Sequence, residues 1–140
     1  MSQEEAWVYR IIDANLNRAR EGLRVIEEVI RFIVEDTELL NRIKSLRHEL
    51  TQIFKEKKSN LIHARNSNQD IGKDIDMSKN IKSIKDIISA NINRVQEALR
   101  VIEEFYKLLN TNTNISNLIK NIRFKTYSLE KELYLIIDEK

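Results

Sequence analysis

The sequence has no cysteine and no proline, and glycine occurs only at Gly22 and Gly72. Each shortage excludes something. Without cysteine there is no disulfide and no thiolate metal site, which suits a reducing compartment and gives a cytoplasmic expectation. Tight turns and strand ends normally consume glycine and proline, so the 140 residues are expected to be mostly uninterrupted helix. A phosphate-binding loop needs two glycines in a fixed frame and a dinucleotide fingerprint three. Gly22 and Gly72 stand 50 positions apart, so both motifs are excluded. With only His48 and His63 available, any metal site must rest mainly on carboxylates.

Charge of one sign is also lacking. Lys and Arg number 24 against 22 Asp and Glu, a net charge of +2, which is no strong nucleic-acid signal. No apolar run approaches the ~20 residues of a membrane span, and the acidic start Met-Ser-Gln-Glu-Glu is not that of a signal peptide. The length points to a single domain over residues 1–140, and 41% hydrophobic residues supply one modest core.

An internal repeat is the strongest feature present. Residues 11–33, IIDANLNRAREGLRVIEEVIRFI, match residues 87–109, IISANINRVQEALRVIEEFYKLL, at 13 of 23 positions with an offset of 76. A second amphipathic stretch follows each copy, at about 37–57 and 114–138, and these two resemble each other only in apolar spacing. A lone helical hairpin cannot bury its apolar stripe, whereas two packed with pseudo-twofold symmetry can. The expected fold is therefore all-α. Two pseudo-repeated helical hairpins, at about 6–57 and 81–138, form a four-helix-bundle-like domain with a long linker at about 58–80. Asp36 is the expected N-cap of the second helix, and Thr113 or Asn114 that of the last.

On a helical wheel, Ile12, Leu16, Ala19, Leu23, Ile26, Ile30 and Ile33 form the apolar arc, extended by Val25 and Val29. Asp13, Asn17, Arg20, Arg24, Glu28 and Arg31 fall opposite. Two polar residues breach the arc, Asn15 and Arg18, and Asn91 and Arg94 repeat both breaches. A polar group on a core face costs several kcal/mol unless it is satisfied. Two readings stand. The groups form a shared site near the pseudo-twofold axis, or they form buried staples with Glu21 and Glu97 as i,i+3 ion pairs. Arg24 and Arg100 come six positions after the first arginines, with Glu27-Glu28 and Glu103-Glu104 beyond them. Forked guanidinium groups suit phosphate or carboxylate, and carboxylates suit Mg²⁺; the same glutamates also suit a solvated, salt-bridged face. Arg47 and His48 point to different sides of the second helix, and the linker offers Arg65, Asp70 and Gly72. Trp7, Tyr9 and Tyr106 suit either a stacked base or, more commonly near helix ends, a core plug.

The strings IIDANLNRAREGLRVIEEVIRF, LRHEL, LIHARNSNQDIG and ANINRVQEALRVIEE, in this order, resemble the small helical hydroxymethylpyrimidine phosphate kinase family over about residues 9–107. Members of that family stand alone or are fused upstream of thiamine phosphate synthase. The resemblance implies that ATP phosphorylates hydroxymethylpyrimidine phosphate to the diphosphate in thiamine biosynthesis, with Mg²⁺. It also implies association with thiamine phosphate synthase. Asn15, Arg18, Glu21, Arg24, Glu27, Arg47, His48, Arg65, Asp70 and Gly72 match its motifs, as do Asn91, Arg94, Glu97, Arg100 and Glu103. Asn66 departs from them where the family often has Asp, which removes one carboxylate from metal binding.

On this reading Arg18, Arg94, Asp70 and His48 form the catalytic set. Arg24, Arg100, Arg47 and Arg65 bind substrate phosphate, while Asn15 and Asn91 orient the substrate or hold the arginines. Asp70, Glu28 and Glu104 are the expected Mg²⁺ ligands. The alternatives are a non-catalytic helical interaction module, or a small helical enzyme on another anionic substrate, which needs neither ATP nor Mg²⁺. Convergence of Arg18, Arg24, Arg94 and Arg100 on one open pocket distinguishes a site from staples. A homodimer along exposed apolar surface is a further expectation.

Overall fold

The computed structural model describes residues 1–74, 80–109 and 114–140. It is all-α, with no strand among the described residues. The chain runs α1 (Gln3–Val29), a π-helical turn (Ile30–Val34), α2 (Thr37–Ile53), α3 (Lys58–Ala64), α4 (Ile84–Tyr106) and α5 (Asn114–Glu139). Ser2 caps α1 by accepting from the Glu5 N–H, Asp36 caps α2 through Leu39, and Ser83 caps α4 through Asp86. The expected cap at Thr113 lies outside the described residues.

Helices α1 and α4 pack together, α2 flanks α1, α5 flanks α4, and α2 meets α5, so the two hairpins close a four-helix bundle. Ile12, Leu23 and Ile26 from α1 meet Ile88, Ile92, Leu99 and Ile102 from α4 in the core, each almost wholly buried. Removing such a side chain from water contributes roughly 1.5–3 kcal/mol. Tyr9 and Tyr106 are core plugs, and Tyr106 packs edge-on against Phe54 at 6.0 Å. Trp7 stays 58% exposed.

The centre of the bundle explains Gly22. A Cβ there would lie 2.6 Å from Val95 Cγ2 and 3.1 Å from the Asn91 carbonyl oxygen. Its repeat counterpart is Ala98, so small residues occupy both sides of the crossing.

Two expectations change. Ile33, expected inside, is exposed, and Val34 is buried in its place. The π-helical turn is wider than an α-turn and shifts the inward face by one residue. It closes with the Glu35 N–H donating to Ile30 O at 2.7 Å, and Glu35 takes the left-handed conformation (φ 57°) more usual for glycine. The linker, expected as a long connection from residue 58, begins instead with α3, which docks on α1 through buried Leu61. At seven residues it is too short to show a helical period.

Gly22→Ala gains about 1 kcal/mol of helix propensity but overpacks the crossing. Overpacking costs about 1–3 kcal/mol, so we expect a net loss of up to about 2 kcal/mol, seen as a lower Tm in thermal unfolding. A Tm at or above the parent's would show that the two helices separate freely.

Candidate functional site

The polar residues of the repeat separate into two kinds of structure. The first is a pair of buried ion-pair staples. Glu27 is nearly fully buried, and it accepts from Arg24 Nη1 at 2.6 Å and from Arg47 Nη2 at 3.1 Å. Glu103 is equally buried and is gripped by Arg123 through Nε and Nη2, with Arg100 at 3.7 Å. Arg123 stands 76 positions after Arg47. The duplication therefore extends into α2 and α5, beyond apolar spacing alone. The Glu103 carboxylate holds the Arg123 guanidinium above its ordinary pKa, and the weaker hydrogen bond that Arg123 donates to the Tyr127 hydroxyl adds to the effect.

These staples correct several expectations. Arg47 ties α2 to Glu27 of α1, Arg24 and Arg100 pair with glutamates of their own helices, and none of the three lines the cleft that Arg18 and Arg94 share. Arg24 lies six residues after Arg18, about 240° further round the helix once full turns are removed, and so faces away from it. Glu28 and Glu104 are tied to Arg24 and Arg100 at 3.0 Å each. Lys107, and then Arg100, hold the Glu104 carboxyl below its ordinary pKa. Neither glutamate joins Asp70, and no group of three His, Asp or Glu side chains suited to a metal occurs among the described residues. His48 is exposed on the outer side of α2, because Arg47 beside it turns inward to Glu27.

The second structure is a polar cleft of about 220 Å³. Arg10 and Arg18 from α1, Arg94 from α4, and Arg65 with Asp70 from the segment after α3 line it. Arg18, Arg65, Arg94 and Asp70 were expected at a site from sequence, and the fold brings them together. Arg18 and Arg94, expected within the apolar arc, are exposed. Neither forms an ion pair with Glu21 or Glu97 among the described residues, so they are open to the cleft and are not closed staples.

Asn15 is buried beneath Arg18. Its amide donates to Ile11 O at 2.8 Å, and its carbonyl oxygen accepts from Arg18 Nη1 at 2.9 Å. Asn15 thus aims the arginine and does not itself line the cleft. Asn91 repeats the backbone bond, to Ile87 O at 2.9 Å. Asp70 accepts from the Gly72 N–H at 2.9 Å, which shapes the turn at the rim.

Sequence reasoning missed Arg10 and placed Asp13 on the outer face. Asp13 is buried, and both of its oxygens accept from Arg65, through Nε and Nη2 at 2.8 Å each. This fork raises the Arg65 pKa, hydrogen bonding first and charge second. Arg10 donates to Asn66 O at 3.1 Å and so tethers the segment after α3 to α1. The signal available for both was asymmetry, since the repeat replaces Arg10 by Asp86 and Asp13 by Ser89.

Arg123→Met leaves Glu103 buried with only a distant partner. We expect a loss of about 3 kcal/mol in denaturant unfolding. A change within about 0.5 kcal/mol would show that the staple contributes little.

The chain is similar to known proteins over most of its length. The thiamine-phosphate synthase of Thermosynechococcus vestitus (strain NIES-2133 / IAM M-273 / BP-1) is 45% identical over 128 residues, which cover 90% of this chain and 35% of that protein. That of Nostoc punctiforme (strain ATCC 29133 / PCC 73102) is 43% identical, over 94% of this chain and 36% of that protein. That of Rhodopirellula baltica (strain DSM 10527 / NCIMB 13988 / SH1) is 36% identical over the same shares. The chain thus spans about a third of the length of the curated relatives it matches. No solved structure matches it. The model of the ThiD2 family matches residues 10–132, nearly the whole bundle with the cleft, and the chain belongs to that family.

Proposed function

We propose that the protein acts in thiamine biosynthesis, phosphorylating hydroxymethylpyrimidine phosphate to its diphosphate with ATP. One observation carries the reading: Arg10, Arg18, Arg65 and Arg94 converge from both repeats and the segment after α3 on one open cleft. Phosphoryl transfer asks for little covalent chemistry and much positioning and charge neutralisation. Forked guanidinium groups supply both in a fold that has no glycine-rich phosphate loop.

In the proposed step, an oxygen of the acceptor's phosphate forms a bond to the γ-phosphorus of ATP. The bond from that phosphorus to the β–γ bridging oxygen breaks, and ADP leaves with the electron pair. A phosphate monoester loses its second proton at a pKa of about 6. The nucleophile is therefore already ionised at neutral pH and needs no general base, in keeping with His48 lying outside the cleft. Two anions must meet, and the arginines offset their repulsion. Arg18, braced by Asn15, and Arg94 are the proposed clamps.

Mg²⁺ keeps most of its waters and takes one or two protein carboxylates together with nucleotide phosphates. Asp70 at the rim fits that role, whereas Glu28 and Glu104 do not. The metal would supply charge neutralisation on the donor phosphates. The relatives named thiamine-phosphate synthase carry a segment like this one in a longer chain. That supports association of this protein with such a synthase, and delivery of its product to it.

The test is ADP release by the folded protein with ATP, Mg²⁺ and hydroxymethylpyrimidine phosphate. Conversion to the diphosphate is expected, and no ADP under those conditions overturns the reading. Arg94→Ala should lower kcat/KM by more than about tenfold, about 1.4 kcal/mol of transition-state stabilisation, with the helical circular dichroism retained. An unchanged rate refutes the clamp.

A further inference from the structure

The repeat gives the molecule an internal comparison. A shift of 76 positions carries α1 onto α4 and α2 onto α5, yet the second halves of the hairpins differ. α5 runs unbroken from Asn114 to Glu139, whereas α2 stops at Ile53. There the chain turns at Phe54 and passes through a 3₁₀ turn, Lys55–Lys57, into α3. This break opens a second cleft, of about 340 Å³, between α1, the end of α2 and α3.

Its chemistry differs from that of the arginine cleft. Leu16, Phe54 and Leu61 are buried beneath it, and Ile62 is half exposed beside them. Arg20, Lys55, Lys58 and Arg65 edge it. Asp13 is the one acid among its lining residues, and Arg65 already holds both oxygens of that carboxylate. The second repeat keeps part of this character, with Ile92 for Leu16, Ile137 for Leu61 and Lys131 for Lys55, and loses the rest. Gln96 replaces Arg20, Glu130 replaces Phe54 and Asp138 replaces Ile62. The matching face of the second repeat carries a different hollow, of about 440 Å³, lined by Asn93, Gln96, Glu97, Arg100, Arg123 and Tyr127, whereas that of the first repeat joins an apolar floor to a cationic edge. Asp13, Asn17 and Arg65 line this hollow and the arginine cleft alike, so the two adjoin along a common wall.

We infer that the second cleft binds the acceptor, a pyrimidine monophosphate. The ring lies over Leu16, Leu61 and Ile62, and the phosphate points to the Arg65 edge where the two clefts meet. An apolar floor with a few polar groups at its edge is the usual form of a site for a small aromatic ligand. Arg20, Lys55 and Lys58 edge the rest of the hollow and favour a doubly charged ligand there, and Arg65 stands between the acceptor phosphate and the donor phosphates. The identity of the ligand rests on the kinase reading; the site itself rests on the broken symmetry.

The test uses the full chain, with steady-state rates in which each substrate is varied in turn and calorimetry with hydroxymethylpyrimidine phosphate or ATP alone. Two variants serve, Arg20→Gln, which installs the residue of the second repeat, and the double change Lys55→Ala with Lys58→Ala. All three side chains are exposed, so the fold should survive their loss. Each variant should raise both KM and Kd for the pyrimidine phosphate by about tenfold or more, with KM for ATP changed less than about twofold. Unchanged acceptor affinity overturns the inference. So does a rise confined to ATP, which would make the hollow the nucleotide's. Should no variant or parent release ADP while the parent still binds the pyrimidine phosphate and the variants bind it more weakly, the site stands and the kinase reading falls. Failure of the parent protein to bind the pyrimidine phosphate overturns the inference whatever the turnover.

Discussion

At Gly22 the backbone of α1 comes within side-chain reach of α4, with Val95 and the Asn91 carbonyl where a Cβ would stand. The other features of the molecule follow from this approach. Because the two helices lie so close, Arg18 on one and Arg94 on the other open into the same cleft. The same crossing sets the distance at which α2 and α5 flank the pair and leaves room beside α1 for α3 to dock. A bundle with a wider central crossing would hold the two repeated arginines apart, each on its own surface.

The duplication has been used in two ways. Where symmetry is kept, it supports the scaffold. Glu27 with Arg47, and Glu103 with Arg123, pin each hairpin through corresponding residues, by Nη2 alone in the first and by Nε and Nη2 in the second. A buried carboxylate must be paired to be tolerated, so such a staple also fixes helix register. Where symmetry is broken, it makes two adjoining clefts. Arg10, Asp13, Arg20 and the break after Ile53 have no equivalents in the second repeat, and all of them lie around the two adjoining clefts. The Asp13–Arg65 fork joins these features, since it anchors the segment after α3 to α1 and forms the wall between the clefts.

Much of the fold was legible. Poverty in glycine and proline dictated helix, the repeat dictated two hairpins, and the Asp36 cap followed from local hydrogen-bonding chemistry. Of the site, Arg18, Arg94, Arg65 and Asp70 were legible, the first two as duplicated breaches of an apolar arc and the others as charges in a connecting segment. Asn15 was legible as a buried polar group, although its part in aiming Arg18 was visible only in the fold. The ion pairs of the repeated arginines were not legible, because sequence similarity does not separate an open cation from one that meets a buried glutamate. Arg47 and Arg24 looked like clamps until their shared partner, Glu27, was seen between them.

The sequence by itself determined the class of structure and the positions of most of its charges, because helix propensity, capping and periodicity act within a few residues along the chain. Tertiary structure decided which of those charges are free. Asp13 is paired to a residue 52 positions away and Glu103 to one 20 positions away, and nothing local to either announces its partner. The break after Ile53 likewise became a cleft only because α1 lies beneath it, supplying Leu16 as floor and Arg20 as edge. Long-range packing, which balances the burial of apolar area against the pairing of buried charge, made that selection.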